Sequence, residues 1–218
     1  AQAAEDAERL GFDAIELHGA HGYLIDQFFW EVTNERTDRW GGSFAKRSQF
    51  AVDIIEAVRQ RVSADFPVIF RFSQWKQQDY SARLAHTPEQ LEAFLQPLSD
   101  AGVDIFHASQ RRFWEPEFEG SDLNLAGWTK KLTGKPAISV GSVGLNVDFL
   151  EGTLSANPMD SIGQRGLEEL LERMENEEFD MIAVGRALLQ DPEWTVKVQQ
   201  NRLDELADFD RAAIAKLY

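Results

Sequence analysis

Five short apolar segments recur along the chain, and a stretch with helical periodicity separates each from the next. They span residues 13–18, 67–72, 103–108, 136–140 and 179–184. Each is nearly continuous in its apolar character, which is typical of strands in a parallel sheet that is covered on both faces. Strands that alternate with helices in this way predict an α/β fold with a parallel sheet.

The segments between the predicted strands carry helix signals. Thr87 and Pro88 suit the N-cap and first position of a helix that runs to residue 101, and Gly102 then leads directly into the next strand. Residues 1–10 have the pattern of a helix end that Gly11 caps, so we expect the chain to begin inside a β/α unit. Further helices are predicted at 44–62, 122–133, 164–176 and 193–206, and a surface loop at 151–163.

Polar residues and glycines follow the predicted strands at the point where each strand ends. They are His18, Arg71, Ser109, Gly141 and Gly185. Barrel enzymes build their sites at the C-terminal ends of the strands, so this pattern favours a (β/α)₈ barrel of the TIM type over a doubly wound sheet. A closed barrel needs eight strands. We therefore expect one domain over residues 1–218 that supplies the five C-terminal β/α units, with about three N-terminal units missing.

Composition excludes several classes of function. The chain has 22 basic and 37 acidic side chains and a formal net charge of −15, so we expect neither nucleic acid nor an anionic membrane as a partner. It contains no cysteine, which removes disulfides, thiolate metal sites and cysteine-ligated clusters. Neither a membrane-spanning run nor a secretory leader is recognisable, so a cytoplasmic location is expected. The sequence leaves open whether the chain forms a homo-oligomer.

The first candidate site is a cluster of His18, His21 and Tyr23 directly after a predicted strand. Imidazoles can donate hydrogen bonds to a developing oxyanion, and a tyrosine hydroxyl can donate a proton. The spacing offers no third ligand of a known metal motif, so no metal is expected. Packing of a strand-end histidine in the core remains the alternative interpretation.

Residues 11–43 (GFDAIELHGAHGYLIDQFFWEVTNERTDRWGGS) resemble the signature region of the old yellow enzyme family. The resemblance implies that His18 and His21 bind the carbonyl oxygen of the substrate and that Tyr23 delivers a proton. Trp40 stands where the family more often has tyrosine, and residues 44–46 also depart from its pattern. The signature loop itself comprises Asn34, Arg36, Asp38, Trp40, Gly41, Gly42 and Ser43, and Arg47 follows it.

Arg71 is a charged residue inside an otherwise apolar strand. Burial of a guanidinium is costly unless an anion or several acceptors surround it. An ion pair inside the barrel would meet this need, and so would a cofactor. The resemblance implies the second arrangement, in which Arg71 faces the pyrimidine ring of a flavin.

A phosphate site is predicted after the last two strands, where Gly141, Ser142, Val143 and Gly144 follow one strand and Gly185 and Arg186 the other. Loops in these positions of barrels commonly bind phosphate, because glycine permits close backbone approach and arginine supplies a bidentate charge.

The resemblance implies an FMN-dependent oxidoreductase in which NADH or NADPH reduces FMN, and the reduced flavin reduces the activated C=C bond of an enone. Two alternatives remain open: a noncatalytic half-barrel without flavin, and a barrel enzyme that acts on a phosphorylated metabolite. His107 is expected to pack in the core with a hydrogen bond. Both Trp75 and the loop 111–116 could either line the site or simply pack.

Overall fold

The computed structural model of the chain describes residues 1–145 and 163–215, and within them five strands form a parallel sheet in the order β1-β2-β3-β4-β5. The strands are β1 Ile15–His21, β2 Val68–Lys76, β3 Ile105–Ser109, β4 Ala137–Val140 and β5 Met181–Ala183. The helices are α1 Gln2–Arg9, α2 Leu24–Phe29, α3 Phe44–Arg47, α4 Gln49–Arg59, α5 Pro88–Asp100, α6 Leu125–Thr133, α7 Gly163–Glu175, α8 Arg186–Gln190 and α9 Trp194–Gln199. Two 3₁₀ turns, Leu203–Glu205 and Arg211–Ala215, follow.

Every described strand pairs in parallel with its neighbour in sequence. Crossovers between parallel strands are right-handed, so successive crossovers that advance in one direction place their helices on the same face of the sheet. A doubly wound sheet reverses its strand order to cover both faces, and the described strands contain no such reversal. The α/β prediction is therefore confirmed, and the sequential order is the one found in the wall of a barrel.

One face of the sheet packs against the helices through phenylalanine side chains. Phe70, Phe72 and Phe106 are completely buried there. The Phe72 ring lies 5.6 Å from the ring of Phe94 in α5, and the Phe94 ring lies 4.9 Å from that of Phe29 in α2. This aromatic cluster fixes both helices against the sheet.

The opposite face of the sheet is polar. Residues alternate between faces along a strand, so Glu16 and His18 point away from the helices. Arg71 lies beside His18 in the register of β1 and β2, and His107 lies beside Arg71 in β3. The strand register therefore gathers three titratable side chains in one row, and this row forms part of the site.

The predicted ends of the first two strands are wrong. β1 continues to His21 and β2 to Lys76, so His18 and Arg71 lie within strands rather than at their ends. A polar side chain is compatible with the strand here because it projects onto the polar face. The prediction is right for Ser109, which ends β3, and for Gly141, which follows β4.

The helices also depart from their predicted bounds. The helix expected at 44–62 is two helices that meet at Ser48, and the one expected at 193–206 stops at Gln199, shortly before Asn201 adopts a left-handed conformation with φ 55°. α2 and α8 were not predicted. The loop predicted at 151–163 lies almost entirely outside the described residues. In the described ranges, no helix has both the length and the apolar character that crossing a membrane requires.

We expect Gly19→Ala to destabilise the fold, because a Cβ at this position would lie 2.4 Å from Cζ of the buried Phe70. Overpacking of this kind costs about 1–3 kcal/mol of unfolding free energy, which urea denaturation measures. Phe70→Leu removes the clashing ring atoms, so the double variant should lose less stability than the two single variants together. Additive losses would contradict this packing explanation.

Candidate active site

β1 ends in an irregular turn that reorients its last residues. The register with β2 shifts between Gly19 and His21, and His21 takes a left-handed conformation with φ 64°. Such a conformation is costly for a residue with a side chain and persists only where other contacts enforce it. The hydroxyl oxygen of Ser73 accepts a hydrogen bond from the His21 backbone N–H at 2.9 Å and so holds the turn in place.

The turn brings together the three residues that the sequence predicts to be catalytic. The ring centroids of His18 and His21 are 5.3 Å apart, and those of His18 and Tyr23 are 5.2 Å apart. The indole of Trp75 stacks on the His21 ring at 4.5 Å, so Trp75 belongs to the site. Tyr23 directly precedes α2 and is 50% exposed, which leaves its hydroxyl accessible to a ligand and to solvent.

Both histidines are neutral at physiological pH. Burial, followed by the positive charge of Arg71, lowers the pKa of His21 to about 3. Burial and Arg71 also lower the pKa of His18. A neutral imidazole has one N–H group, so each ring can donate one hydrogen bond.

Arg71 occupies the centre of the polar face. One of its terminal nitrogens lies 3.4 Å from the hydroxyl oxygen of Ser109, whereas its Nε is buried and has no hydrogen-bond partner among the described residues. Burial lowers the pKa of Arg71, and the charge of Glu16 opposes this shift. Glu16 makes its own hydrogen bond with Nδ1 of His107 at 2.6 Å, which confirms the expectation for His107.

A buried donor without an acceptor calls for a ligand that provides one. Nε2 of His107, the neighbour of Arg71 in the sheet, also lacks a partner among the described residues. Both atoms suit a ligand that carries hydrogen-bonding atoms, and the pyrimidine edge of a flavin carries such atoms. In residues 1–145 and 163–215, no three His, Asp or Glu side chains are grouped as a metal site would require.

The loops after β4 and β5 meet, as the predicted phosphate site requires. A Cβ on Gly144 would lie 3.4 Å from Cβ of Ala187, the second residue of α8. Ser142 adopts φ 53° and its hydroxyl donates to the carbonyl oxygen of Arg111 at 2.9 Å, while Val143 is buried in the core. Ser142 and Val143 therefore shape the first loop through contacts within the protein.

The two glycines that begin these loops differ in their surroundings. A Cβ on Gly141 would lie 2.6 Å from the carbonyl oxygen of Gln110, so packing against the chain after β3 accounts for this glycine. Nothing in the described structure lies within 4 Å of a Cβ on Gly185. Arg186 starts α8, and its guanidinium lies 5.9 Å from the ring of Phe209. Of these two glycines, the one with open space beside it is therefore Gly185.

The signature loop stabilises the backbone around α2. The amide of Asn34 donates to the carbonyl oxygens of Phe28 at 2.6 Å and Trp40 at 2.7 Å. The guanidinium of Arg47 donates to the carbonyl oxygen of Phe29 at 2.8 Å. These bonds hold the C-terminal end of α2, the helix that begins directly after Tyr23, so the loop supports the site without belonging to it.

A buried ion pair that the sequence analysis missed stabilises the turn itself. Nζ of Lys76 lies 2.5 Å from Oδ1 of Asp26, and the other carboxylate oxygen accepts the Gly22 N–H at 2.7 Å. The side chains are 1% and 0% exposed. Asp26 and Lys76 are 50 residues apart, so no local signal in the sequence pairs them. Ser73 was missed for the same reason, and the sequence predicts the position of Ser109 at a strand end but not its contact with His21.

The chain is similar to known flavin oxidoreductases over most of its length. The model of the NADH:flavin oxidoreductase / NADH oxidase family matches residues 1–205. An NADH oxidase of Thermoanaerobacter brockii is 35% identical over 94% of this chain and 29% of that protein. An NADPH dehydrogenase of Clostridium acetobutylicum is 31% identical over 87% of this chain and 50% of that protein.

The solved structures agree at the level of the fold. The old yellow enzyme homologue from Zymomonas mobilis has a TM-score of 0.70 and 20% sequence identity, and the match covers 97% of this chain and 52% of that one. The chain thus spans between about a third and a half of the length of these relatives.

We expect Lys76→Met to destabilise the protein by about 3–5 kcal/mol, because it leaves Asp26 charged and buried without its cation. Urea denaturation gives the free energy, and amide exchange at Gly22 should accelerate. Adding Asp26→Asn removes the buried charge and should recover part of the loss. A loss below about 1 kcal/mol for the single variant would contradict the role of the pair.

Acidification should weaken the fold through His21. The folded pKa of about 3 lies below the ordinary value of 6.5, so the unfolded chain binds more protons between these limits. This contribution is complete above pH 6.5 and decreases as the pH falls towards 3. His21→Asn removes it, so the urea midpoint of the variant should depend less on pH than that of the wild type. Equal pH dependence would show that His21 is not held neutral.

Proposed function

Because the chain belongs to the NADH:flavin oxidoreductase / NADH oxidase family, the family of the old yellow enzymes, we propose that it forms the catalytic wall of an FMN-dependent ene-reductase. The reaction is reduction of the activated C=C bond of an α,β-unsaturated carbonyl compound with NADH or NADPH. The five units would be part of a (β/α)₈ barrel. The observation that carries the proposal is the convergence of His18, His21 and Tyr23 beside Arg71, whose buried Nε has no acceptor among the described residues.

Arg71 would bind the pyrimidine edge of the flavin through its Nε–H, which has no partner in residues 1–145 and 163–215. The space beside Gly185 receives the phosphate, and the charge of Arg186 balances it. When bound, FMN would supply the hydride-transfer chemistry, with NADH or NADPH as the reductant. The loop that faces the phosphate also includes Gly141, Ser142 and Val143.

His18 and His21 bind the substrate. Each neutral ring donates one N–H to the carbonyl oxygen, which gains negative charge as hydride reaches the β-carbon. The donors are already oriented, since Trp75 stacks on His21. Tyr23 donates its hydroxyl proton to the α-carbon, and its exposure allows solvent to return that proton.

A noncatalytic half-barrel is the second candidate. β1 and β5 each pair with a single strand in the described sheet, so both edges have unpaired backbone groups. Such edges favour association with further strands, and the chain alone would then hold no flavin. The third hypothesis, a barrel enzyme that acts on a phosphorylated metabolite, gives no role to His18, His21 or Tyr23.

Titration of the purified 218-residue chain with FMN tests the proposal. We expect quenching of the flavin fluorescence on binding, and Arg71→Met should weaken the affinity about tenfold or more, because it removes a charged donor. The control variant is Arg36→Lys, which lies in the exposed signature loop and should leave the affinity for FMN unchanged. A chain that is folded by circular dichroism but leaves the fluorescence unchanged would favour the half-barrel.

Turnover with the probe 2-cyclohexenone and NADPH tests the role of Tyr23. General acids contribute about 10²- to 10⁴-fold, so Tyr23→Phe should lower the rate of enone reduction by a factor in this range. Flavin affinity and the rate of flavin reduction by NADPH should stay the same, since Tyr23 acts only on the substrate. An unchanged rate of enone reduction would eliminate Tyr23 as the proton donor.

A further inference from the structure

Ser109 connects two groups of the proposed site that lie on different strands. It is the last residue of β3 and is 3% exposed. Its hydroxyl oxygen lies 2.7 Å from Nε2 of His21 and 3.4 Å from a terminal nitrogen of Arg71. The left-handed turn at the end of β1 lets the His21 ring reach across β2 to this hydroxyl.

Counting protons in this chain of contacts leaves one arrangement. A guanidinium has donors only, so the hydroxyl oxygen of Ser109 accepts from Arg71. The hydroxyl has one proton of its own, and Nε2 of His21 at 2.7 Å is the described atom that could accept it. Burial keeps the His21 ring neutral by lowering its pKa to about 3, so one ring nitrogen can accept.

We propose that Ser109 is a positioning residue that donates to Nε2 of His21 and thereby fixes the ring proton on Nδ1. The reverse arrangement, with the proton on Nε2, would leave the buried Ser109 hydroxyl proton without a described acceptor, which is costly. Nδ1–H is then the donor that His21 offers to a ligand.

The other contacts of His21 hold the ring in a single orientation. Trp75 stacks on one face with an interplanar angle of 23°. The backbone N–H of His21 is bound to Ser73, whose own hydroxyl donates to the carbonyl oxygen of Trp75 at 2.7 Å. The indole, the turn and the ring are thus tied together, and Ser109 selects the tautomer within this frame.

The consequence for catalysis rests on the proposed function. Hydrogen bonding to the substrate carbonyl oxygen would come from Nδ1 of His21, and loss of the Ser109 hydroxyl would let the proton occupy either nitrogen. Part of the enzyme would then present an acceptor to the carbonyl oxygen. Ser109→Ala should therefore lower kcat about in proportion to the misprotonated fraction and leave flavin affinity nearly unchanged.

Nitrogen-15 NMR of the histidine side chains in the flavin-free chain tests the proposal directly. His21→Asn identifies the His21 signals. In the wild type at pH 7 we expect a protonated Nδ1 and an unprotonated Nε2, since the two nitrogens of a neutral ring differ in chemical shift. A protonated Nε2 in the wild type would overturn the proposal, whatever the outcome of the FMN titration.

Variants of Ser109 separate tautomer selection from packing. Ser109→Ala should move the His21 shifts towards a mixture of tautomers, and Ser109→Thr, which keeps the hydroxyl, should restore the wild-type shifts. Ser139→Ala is the matched control, because Ser139 is a completely buried serine whose hydroxyl bonds to Gln110. Unchanged His21 shifts in a folded Ser109→Ala would overturn the proposal. The wild-type spectrum decides the question even if that variant does not fold.

Discussion

The left-handed turn at His21 is the constraint on which the site depends. Without it, β1 would continue in regular register and His21 would alternate with its neighbours across the sheet. The turn instead directs the ring across β2 to Ser109, 88 residues further along the chain. Two polar contacts oppose the strain: Ser73 binds the backbone N–H of His21, and Asp26 binds that of Gly22. The buried Lys76 in turn forms an ion pair with Asp26 and fixes the position of its carboxylate.

Burial and positive charge act in the same direction around this turn. Arg71 and Lys76 are both cations, and they make protonation of the nearby histidines unfavourable. The charge of Glu16 partly compensates the buried charge of Arg71, and Nε of Arg71 has no hydrogen-bond partner in the part of the chain that the structure describes. Arg71 thus has two effects. Its charge helps to keep His21 neutral, and its Nε–H remains available to donate a hydrogen bond to a ligand.

The strand and helix order could be predicted from sequence because apolar runs and helix caps are local signals. Thr87 shows this, since its hydroxyl accepts the Gln90 N–H at 3.3 Å and caps α5 as expected. The ends of β1 and β2 could not be predicted in the same way. In a strand that is buried on both faces, a histidine or arginine indicates that the strand has ended. In a strand with one polar face, the same residue can lie within the strand because its side chain projects onto that face. Only the tertiary structure distinguishes the two cases.

The same limit separates the site residues that sequence found from those it missed. His18, His21 and Tyr23 lie within six residues, so one turn of the chain brings them together. Lys76 and Ser109 reach that turn from other strands, and nothing in their immediate sequence indicates their partners. A motif therefore predicts the groups to which the proposed function assigns substrate contact, whereas their positioning depends on contacts that only the folded sheet creates.

The sequence predicts that Gly141 and Gly185 both belong to a phosphate site, but their surroundings in the fold differ. Gly141 has no room for a side chain because the carbonyl oxygen of Gln110 occupies the space, so packing against the chain that follows β3 explains this glycine without a ligand. The space at Gly185 is open, and packing does not explain the glycine there. Arg186 follows Gly185 and is a positively charged residue in a chain whose formal net charge is −15. In the proposed function the phosphate therefore lies at Gly185, where the space is open, and not at Gly141.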